Sequence, residues 1–370
     1  MPLPESHYFS YQMQEFMKIL HTADVHIREY EDDRWLALQQ VVHVGKENDI
    51  DALVIAGDLF DSDTAAHKLR PKVREIFTDL SFPVFIIAGN HDVNAYPNGA
   101  FLGEGVIVLD DLLKPHSLNG YHFWGFPYSD LQEEEILEYL HLAGQKARNM
   151  EGNHLLIFHG ELLDIIDGWV HYGDEGNQRY LPVKLSYFRH LPFKYVLAGH
   201  FHSNFDVHEF KEDAYFVYSG SPISITKRET GPRKANLFKF GNIPEPVELT
   251  TPFFERLHIH LDISHQSNPI SAITSRMESL PENARLLLEI DGFFNGAKLE
   301  MTEQEVQRAL QKLSGKQLDI IRMEIHDIRE IVEDELFRDF YRKLKARELD
   351  EEDERAVINM TLKAMMELSA

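Results

Sequence analysis

The sequence predicts an α/β protein in which two facing sheets are flanked by helices, followed by a small α+β domain and a C-terminal helical tail. Three observations predict it. Short apolar runs at 18–21, 52–56 and 84–88 alternate with amphipathic helical patterns over 34–48 and 68–80. That rhythm implies parallel strands joined by crossover helices. Later runs at 121–125, 153–158, 195–198 and 214–218 alternate more between apolar and polar residues and read as a second sheet. Thr250-Thr251-Pro252 then breaks the pattern, and a separate strand–helix series begins.

Each element has its own justification. In the first helix, Trp35, Leu38, Val41 and Val42 fall on one face. The runs 52–56 and 84–88 have no polar residue and read as strands buried on both faces. A helix over 131–149 sits among the strands of the second sheet. After the break the expected order is strand (256–261), helix (270–280), strand (285–290), helix (302–313) and strand (318–326). From Ile331 onward the chain reads as helical, with an acidic run over 348–354 interrupting two amphipathic stretches. The expected domains are an irregular N-terminal extension (1–16), a main domain (17–250), an α+β domain (254–328) and a helical tail (330–370). Met17, just ahead of the first strand, is a candidate start residue.

Composition excludes several classes of function. The chain has 370 residues, 43% of them hydrophobic, enough for two or three cores. It has no cysteine, so disulfides, thiolate nucleophiles and thiolate metal ligands are ruled out. A metal site would be built from N and O donors, which suit Mn, Fe or Zn. No apolar stretch is long enough to span a membrane and no signal-peptide pattern is present, so a soluble cytoplasmic protein is expected. The net charge of −24 argues against nucleic-acid binding, since phosphate contacts need Lys and Arg. Two divalent ions would offset this locally by bringing positive charge to the place where a phosphate binds.

Seven metal-ligand side chains lie in five short motifs, each following an apolar run: Asp24 and His26, Asp58, Asn90, His159, and His200 with His202. Asp24 and His26 are two apart, so in an extended strand they would share a face and reach one ion. Asp58 can bind two ions through its two oxygens and is the natural bridge. Asn90 supplies a neutral oxygen, which keeps the net charge of the site positive. His91 cannot easily point at the same ion as Asn90. It can protonate a leaving oxygen or stabilise transition-state charge, and Asp92 would fix its tautomer. Divalent ions at such a site lower the pKa of a coordinated water for attack on a phosphate ester. A lone strand-end Asp or His is more often a turn residue, but five such motifs in order are not explained that way. His21, His43, His67, His190 and His258 lack this context. Lys227 and Arg228 could contact phosphate or lie in a solvated turn.

On these residues the chain resembles the calcineurin-like metallophosphoesterase superfamily: Asp24-x-His26, Gly57-Asp58-x-x-Asp61, Gly89-Asn90-His91-Asp92, His159 and Gly199-His200-x-His202. Within it, Gly57-Asp58-Leu59-Phe60-Asp61, Tyr218-Ser219-Gly220-Ser221 and a small C-terminal capping domain look like the SbcD-type DNA repair nucleases. The resemblance implies the metallophosphoesterase fold. It implies one metal held by Asp24, His26 and His202, another by Asn90, His159 and His200, and Asp58 between them. His91 would be the catalytic histidine, with Asp92 beside it. The implied cofactors are two divalent ions, most simply Mn2+. The implied activity is DNA exonuclease and endonuclease, as a homodimer working with an SbcC-type, SMC-like ABC ATPase. The dimer contact would involve Phe77, Tyr96 and Phe101, with burial in the core an equal alternative for Phe77, and the tail would dock either on the capping domain or on the ATPase through Met360, Met365 and Met366. Two rivals stand beside this: a stand-alone phosphodiesterase on a nucleotide or other small phosphoester, and a non-catalytic assembly protein. A serine/threonine phosphatase is disfavoured, because the Asp-Arg-Gly signature of that group does not follow Asp58.

Overall fold

The structure is a computed structural model that describes residues 16–97, 100–165, 180–203, 205–262, 268–313 and 317–369. The expected extension 1–16 lies almost wholly outside them. The described residues form two compact units divided between Thr251 and Pro252.

The first unit runs β1 (Lys18–Thr22), α1 (Asp33–Glu47), β2 (Ala52–Ala56), α2 (Asp63–Ile76), β3 (Val84–Ile87), β4 (Val106–Val108), β5 (His116–Leu118), β6 (Tyr121–Phe126), α3 (Glu133–Arg148), β7 (Asn153–His159), α4 (Leu185–Phe188), β8 (Tyr195–Gly199), β9 (Asp206–Lys211), β10 (Ala214–Tyr218), β11 (Lys234–Lys239) and β12 (Glu245–Glu248). One sheet has the order β12-β11-β1-β2-β3-β4 and the other β5-β6-β7-β8-β10-β9. Strands β1, β2, β3 and β4 are parallel neighbours, as are β6, β7, β8 and β10, while β11 runs antiparallel to β1 and β12 antiparallel to β11.

Alternation of side chains explains the layers. Leu20, Leu53, Ile55, Val84 and Ile86 face one way and pack with Trp35, Leu38 and Val41 of α1 and Leu69 and Val73 of α2. Ile19, Val54, Phe85 and Ile87 face the other way and pack with Phe123, Leu155, Ile157, Leu197 and Val217 of the second sheet. Phe85 and Phe123 stack at a centroid distance of 4.0 Å across this inner layer. The outer face of the second sheet, with Trp124, Leu156, Phe158 and Val196, packs under Ile136, Leu140 and Ala143 of α3. Two facing mixed sheets flanked by helices are therefore the fold.

Several expectations are corrected. β6, β8 and β10 do not alternate between core and solvent but are buried throughout, because both of their faces are covered. β4, β5, β9, β11 and β12 add to the expected strands; β4 and β5 are three residues each, too short to show a period in the sequence. α2 starts at Asp63 rather than near 68, since Ser62 caps it by accepting from Ala65 N at 3.2 Å. Of the two readings of Phe77, burial in the core is the one observed. Phe101 is 49% exposed, with the Arg74 guanidinium 4.8 Å from its ring centre.

The second unit contains β13 (Phe253–Leu261), α5 (Pro269–Ser279), β14 (Ala284–Phe294), α6 (Gly296–Leu299), α7 (Glu303–Leu313), β15 (Leu318–Asp327), α8 (Arg329–Glu333), α9 (Glu335–Lys345) and α10 (Glu351–Ser369). Its three strands are parallel in the order β13-β14-β15. One face packs against α5 and α7 through Leu286, Leu288, Ile290, Ile273, Val306 and Leu310. Phe293 of β14 instead joins Ile328, Phe337, Leu344, Ile358 and Leu362, so the tail helices cover part of their own sheet. Met365 and Met366 pack against this cluster, whereas Met360 is 73% exposed. The tail helix breaks between Lys345 and Glu351, where the acidic run begins. Glu351, Glu352, Asp353 and Glu354 form the first turn of α10, where negative charge suits the helix dipole. No helix among the described residues is long and apolar enough to cross a membrane.

Candidate metal centre

The parallel strands β1, β2, β3, β7 and β8 deliver their C-terminal loops to one edge, and every singled-out ligand lies in those loops or at a strand end. The first two loops travel together. Asp24 N donates to Gly57 O at 3.1 Å, His26 N to Asp58 O at 2.9 Å and Ile27 N to Leu59 O at 2.9 Å. Asp24 and His26 do not share the face of an extended strand, as their spacing predicted. They take left-handed φ angles of 55° and 51°, as does Asp58 at 50°, and His200 has a φ of 109°. Such conformations cost about 1–3 kcal/mol each and persist where the surrounding structure over-determines them. The buried sheets beneath supply that constraint. Two glycines let the loops close: a Cβ on Gly57 would lie 2.1 Å from His159 Nδ1, and one on Gly89 2.2 Å from Asp58 Oδ1.

The side chains gather into two overlapping groups. On one side His26 Nε2 and His202 Nε2 are 3.2 Å apart, and Asp24, His26 and His202 bring one ligand atom each within 4.8 Å of one another. On the other side Asn90 Oδ1 lies 2.9 Å from His159 Nε2 and 3.3 Å from His200 Nδ1. Asp58 sits between them, its Oδ2 lying 3.7 Å from His26 Nε2 and 3.4 Å from His159 Nε2. That oxygen is buried and has no hydrogen-bond partner, while Oδ1 accepts His91 N at 2.8 Å. Other groupings of three are also within reach of an ion: Asp24, Asp58 and His159, and His26, Asp58 and His91.

This donor set fits divalent metal. Nitrogen and oxygen ligands at about 2.0–2.2 Å from an ion lie roughly 3.0–3.5 Å from each other along the edges of its coordination shell. The 3.2 Å His26–His202 separation, the 2.9 and 3.3 Å contacts of Asn90 and the 3.4 Å His159–Asp58 separation are near that spacing. Electrostatics point the same way. Burial raises the Asp24 pKa and lowers that of His26 well below its usual range. Burial works against Asp58 too, but the imidazoles of His159, His26 and His91 outweigh it and hold the carboxyl below the usual range. Burial likewise opposes the charge on His159, yet Asp58 and Asp24 raise its pKa to about 9. The Asp58 carboxylate and the His159 imidazole thus favour each other's charged forms.

His91 is less enclosed, with its ring 4.6 Å from that of His26 and its Nδ1 3.4 Å from the Asp61 carbonyl oxygen. Asp61 in turn binds the Arg34 guanidinium at 2.6 Å. Asp92 is not placed to set the His91 tautomer. Its Oδ1 accepts Gly89 N at 2.8 Å, and its Oδ2 accepts Phe60 N at 3.2 Å and Tyr96 OH at 2.7 Å. It ties the Asp58 loop to the Asn90 loop and is a positioning residue. Burial, together with the charge on Asp58, pushes its pKa up to about 7. Tyr96, expected at a dimer contact, is thus part of this support.

Three supporting residues were missed in the sequence. Glu161 Oε1 stands 3.8 Å from His200 Nε2. Glu229 Oε1 is 3.3 Å from His202 Nδ1, and Arg233 donates to the carbonyls of His202, Ser203 and Ser221. The Tyr218-Ser219-Gly220-Ser221 motif hints at this region: Tyr218 OH donates to Gly160 O at 2.7 Å and Ser221 N to His202 O at 3.0 Å. His21 is buried beside Asn236 and belongs to the core, while Lys227 and Arg228 are exposed.

A family model of the calcineurin-like phosphoesterases matches residues 17–204, more than half of the chain. The chain belongs to that family, whose members are metal-dependent hydrolases. Among solved structures it is similar to TT1561 of Thermus thermophilus, with 14% identity, a TM-score of 0.43, and coverage of 63% of this chain and 99% of that one. It is also similar to a dimetal phosphatase from Danio rerio, with 12% identity, a TM-score of 0.37 and coverage of 63% and 99%. A third is the Pseudomonas putida nuclease MPE, with 18% identity, a TM-score of 0.27 and coverage of 62% and 87%.

Proposed function

We propose that this chain is a phosphodiesterase that holds two divalent ions and acts on DNA as an SbcD-type nuclease. The observation that carries the two-ion reading is Asp58 Oδ2, buried without a hydrogen bond between imidazoles of both groups. Asp24, His26 and His202 would hold one ion, Asn90, His159 and His200 the other, and Asp58 would bridge. When bound, the ions polarise the phosphoryl oxygens and make water a stronger nucleophile. Among the ligands only Asp24 and Asp58 would bring negative charge, less than two divalent ions would offset, so a phosphate would be attracted to the ions despite the chain's charge of −24.

The chain's own groups do the rest. His91, with Nδ1 facing the Asp61 carbonyl, has Nε2 as the atom that donates a proton to the leaving oxygen. Asp92 holds the loop that presents it. The motifs at Gly57–Asp61 and Tyr218–Ser221 and the presence of a second unit support DNA over a small ester. Mn2+ as the native ion, a homodimer, and an SbcC-type ATPase partner belong to the same proposal. The exposed Leu336, Met360 and Leu368 of the tail are the apolar surface a partner would cover. The test is cleavage of linear, hairpin and single-stranded DNA with Mn2+ beside a small phosphodiester. DNA cleavage with higher kcat/KM is expected, and preference for the small ester by orders of magnitude would overturn the DNA assignment.

A further inference from the structure

Glu229 and Arg233 lie outside every motif, yet they are 1% and 2% exposed beside the metal centre. The Glu229 carboxylate is fully engaged. Oε2 accepts Ile225 N at 2.7 Å, and Oε1 accepts Thr226 N and Thr226 Oγ1, both at 3.1 Å. The fourth contact is His202 Nδ1, 3.3 Å from Oε1. Backbone N–H groups can only donate, so this carboxyl is held as an acceptor of both oxygens, the arrangement that favours its ionised form. A carboxylate accepts only, so Nδ1 of His202 must carry the hydrogen. The lone pair is left on Nε2, which faces His26 Nε2 at 3.2 Å. Arg233 steadies the same loop by donating to the carbonyl of His202 and, at 3.1 Å, to that of Ser221.

We propose that Glu229 is a positioning residue that fixes the Nδ1–H tautomer of His202 and strengthens the metal position His202 serves. The inference rests on the two-metal reading above. The contrast lies in the structure. His159 Nδ1 meets the Ala56 carbonyl oxygen at 2.8 Å, a neutral acceptor. Glu161 Oε1 is 3.8 Å from His200 Nε2, outside hydrogen-bond range. A charged acceptor behind a ligating imidazole raises its basicity, and loss of such a partner typically costs about 10–100-fold in metal affinity. The His202 side of the centre therefore depends on one buried carboxylate at hydrogen-bond distance.

Two measurements test this. The tautomer of His202 is read from long-range nitrogen–proton NMR spectra of the metal-free wild type, with His202→Asn used to assign the ring. The Nδ1–H form is expected, and an Nε2–H form overturns the proposal without any variant. Mn2+ titration by calorimetry then compares wild type with Glu229→Gln, which keeps the shape and removes the charge. One of two ions should weaken by about 10–100-fold while the other is unchanged. Circular dichroism of the metal-free variant checks the fold, and Glu229→Asp should recover part of the lost affinity. Two ions bound by wild type with unchanged affinities in Glu229→Gln would remove Glu229 from this role alone. Fewer than two ions in wild type would overturn the two-metal reading, and this inference with it.

Discussion

The two units are built from the same grammar of parallel strands joined by helices, and both are rich in histidine and acid, but they treat charge in opposite ways. In the second unit His258 and His260 flank Asp291 at 2.9 and 2.5 Å, and Arg322 binds Glu324 at 2.6 Å. His258 and His260 are 51% and 43% exposed at the side chain, so these groups pair with each other in water. In the first unit Asp24, Asp58 and His159 are fully buried, and one carboxylate oxygen has no hydrogen bond. Left-handed φ angles occur at four of the first unit's ligand candidates, whereas in the second unit, among the described residues, the non-glycine cases are Glu300 and Glu348. The density of His and Asp does not mark a site. Buried polar atoms without hydrogen bonds, on strained backbone, do.

The sharpest way to break this comparison is Asp58→Asn. It removes the charge and one good ligand oxygen from the buried group, so at least one ion and essentially all turnover should go. Metal content per chain and steady-state rates check this, and two ions with normal turnover would contradict it. Next is His91→Ala. It should keep both ions while turnover falls roughly 10²–10⁴-fold, with partial rescue on a substrate whose leaving group is nitrophenolate. Loss of an ion would make His91 a ligand, as its grouping with His26 and Asp58 allows.

A smaller effect is expected from His21, whose pKa burial lowers to about 3 against a weaker opposing effect of the Ala198 backbone. The unfolded chain takes up this proton near pH 6.5 and the folded one only near 3. Its contribution to stability is therefore fully present above pH 6.5 and is lost as pH falls through that window, at roughly 1.4 kcal/mol for each unit. Denaturant unfolding of metal-free protein should show a shallower decline between pH 6 and about 4 for His21→Asn; parallel curves would contradict it. Smallest of all is Asp291→Asn in the second unit. Pairs this exposed are worth at most about 1 kcal/mol, so stability should shift by no more than that and metal content should not change.

The same contrast explains what the sequence could carry. Apolar runs made β1, β2, β3 and β7 legible, and ligand-type residues directly after them made Asp24, His26, Asp58, Asn90, His159, His200 and His202 stand out. Backbone conformation was not legible: the spacing of Asp24 and His26 reads as an extended strand, and only the structure reveals two left-handed residues. Neither were supports far along the chain. Glu229 is 27 residues from His202 and reads as an ordinary turn acid. Asp92 reads as a partner of its neighbour His91, but its hydrogen bonds reach Phe60, Gly89 and Tyr96. Phe77 is as apolar as a contact residue would be, and burial alone distinguishes the two roles.

The central claim is that Asp58 joins two ions in one centre. Electron paramagnetic resonance of protein loaded with two Mn2+ per chain tests it most directly. The account predicts the spectrum of a magnetically coupled Mn2+ pair, replaced in Asp58→Asn by that of isolated ions or lost. Two independent Mn2+ signals in the wild type, unchanged by Asp58→Asn, would contradict it.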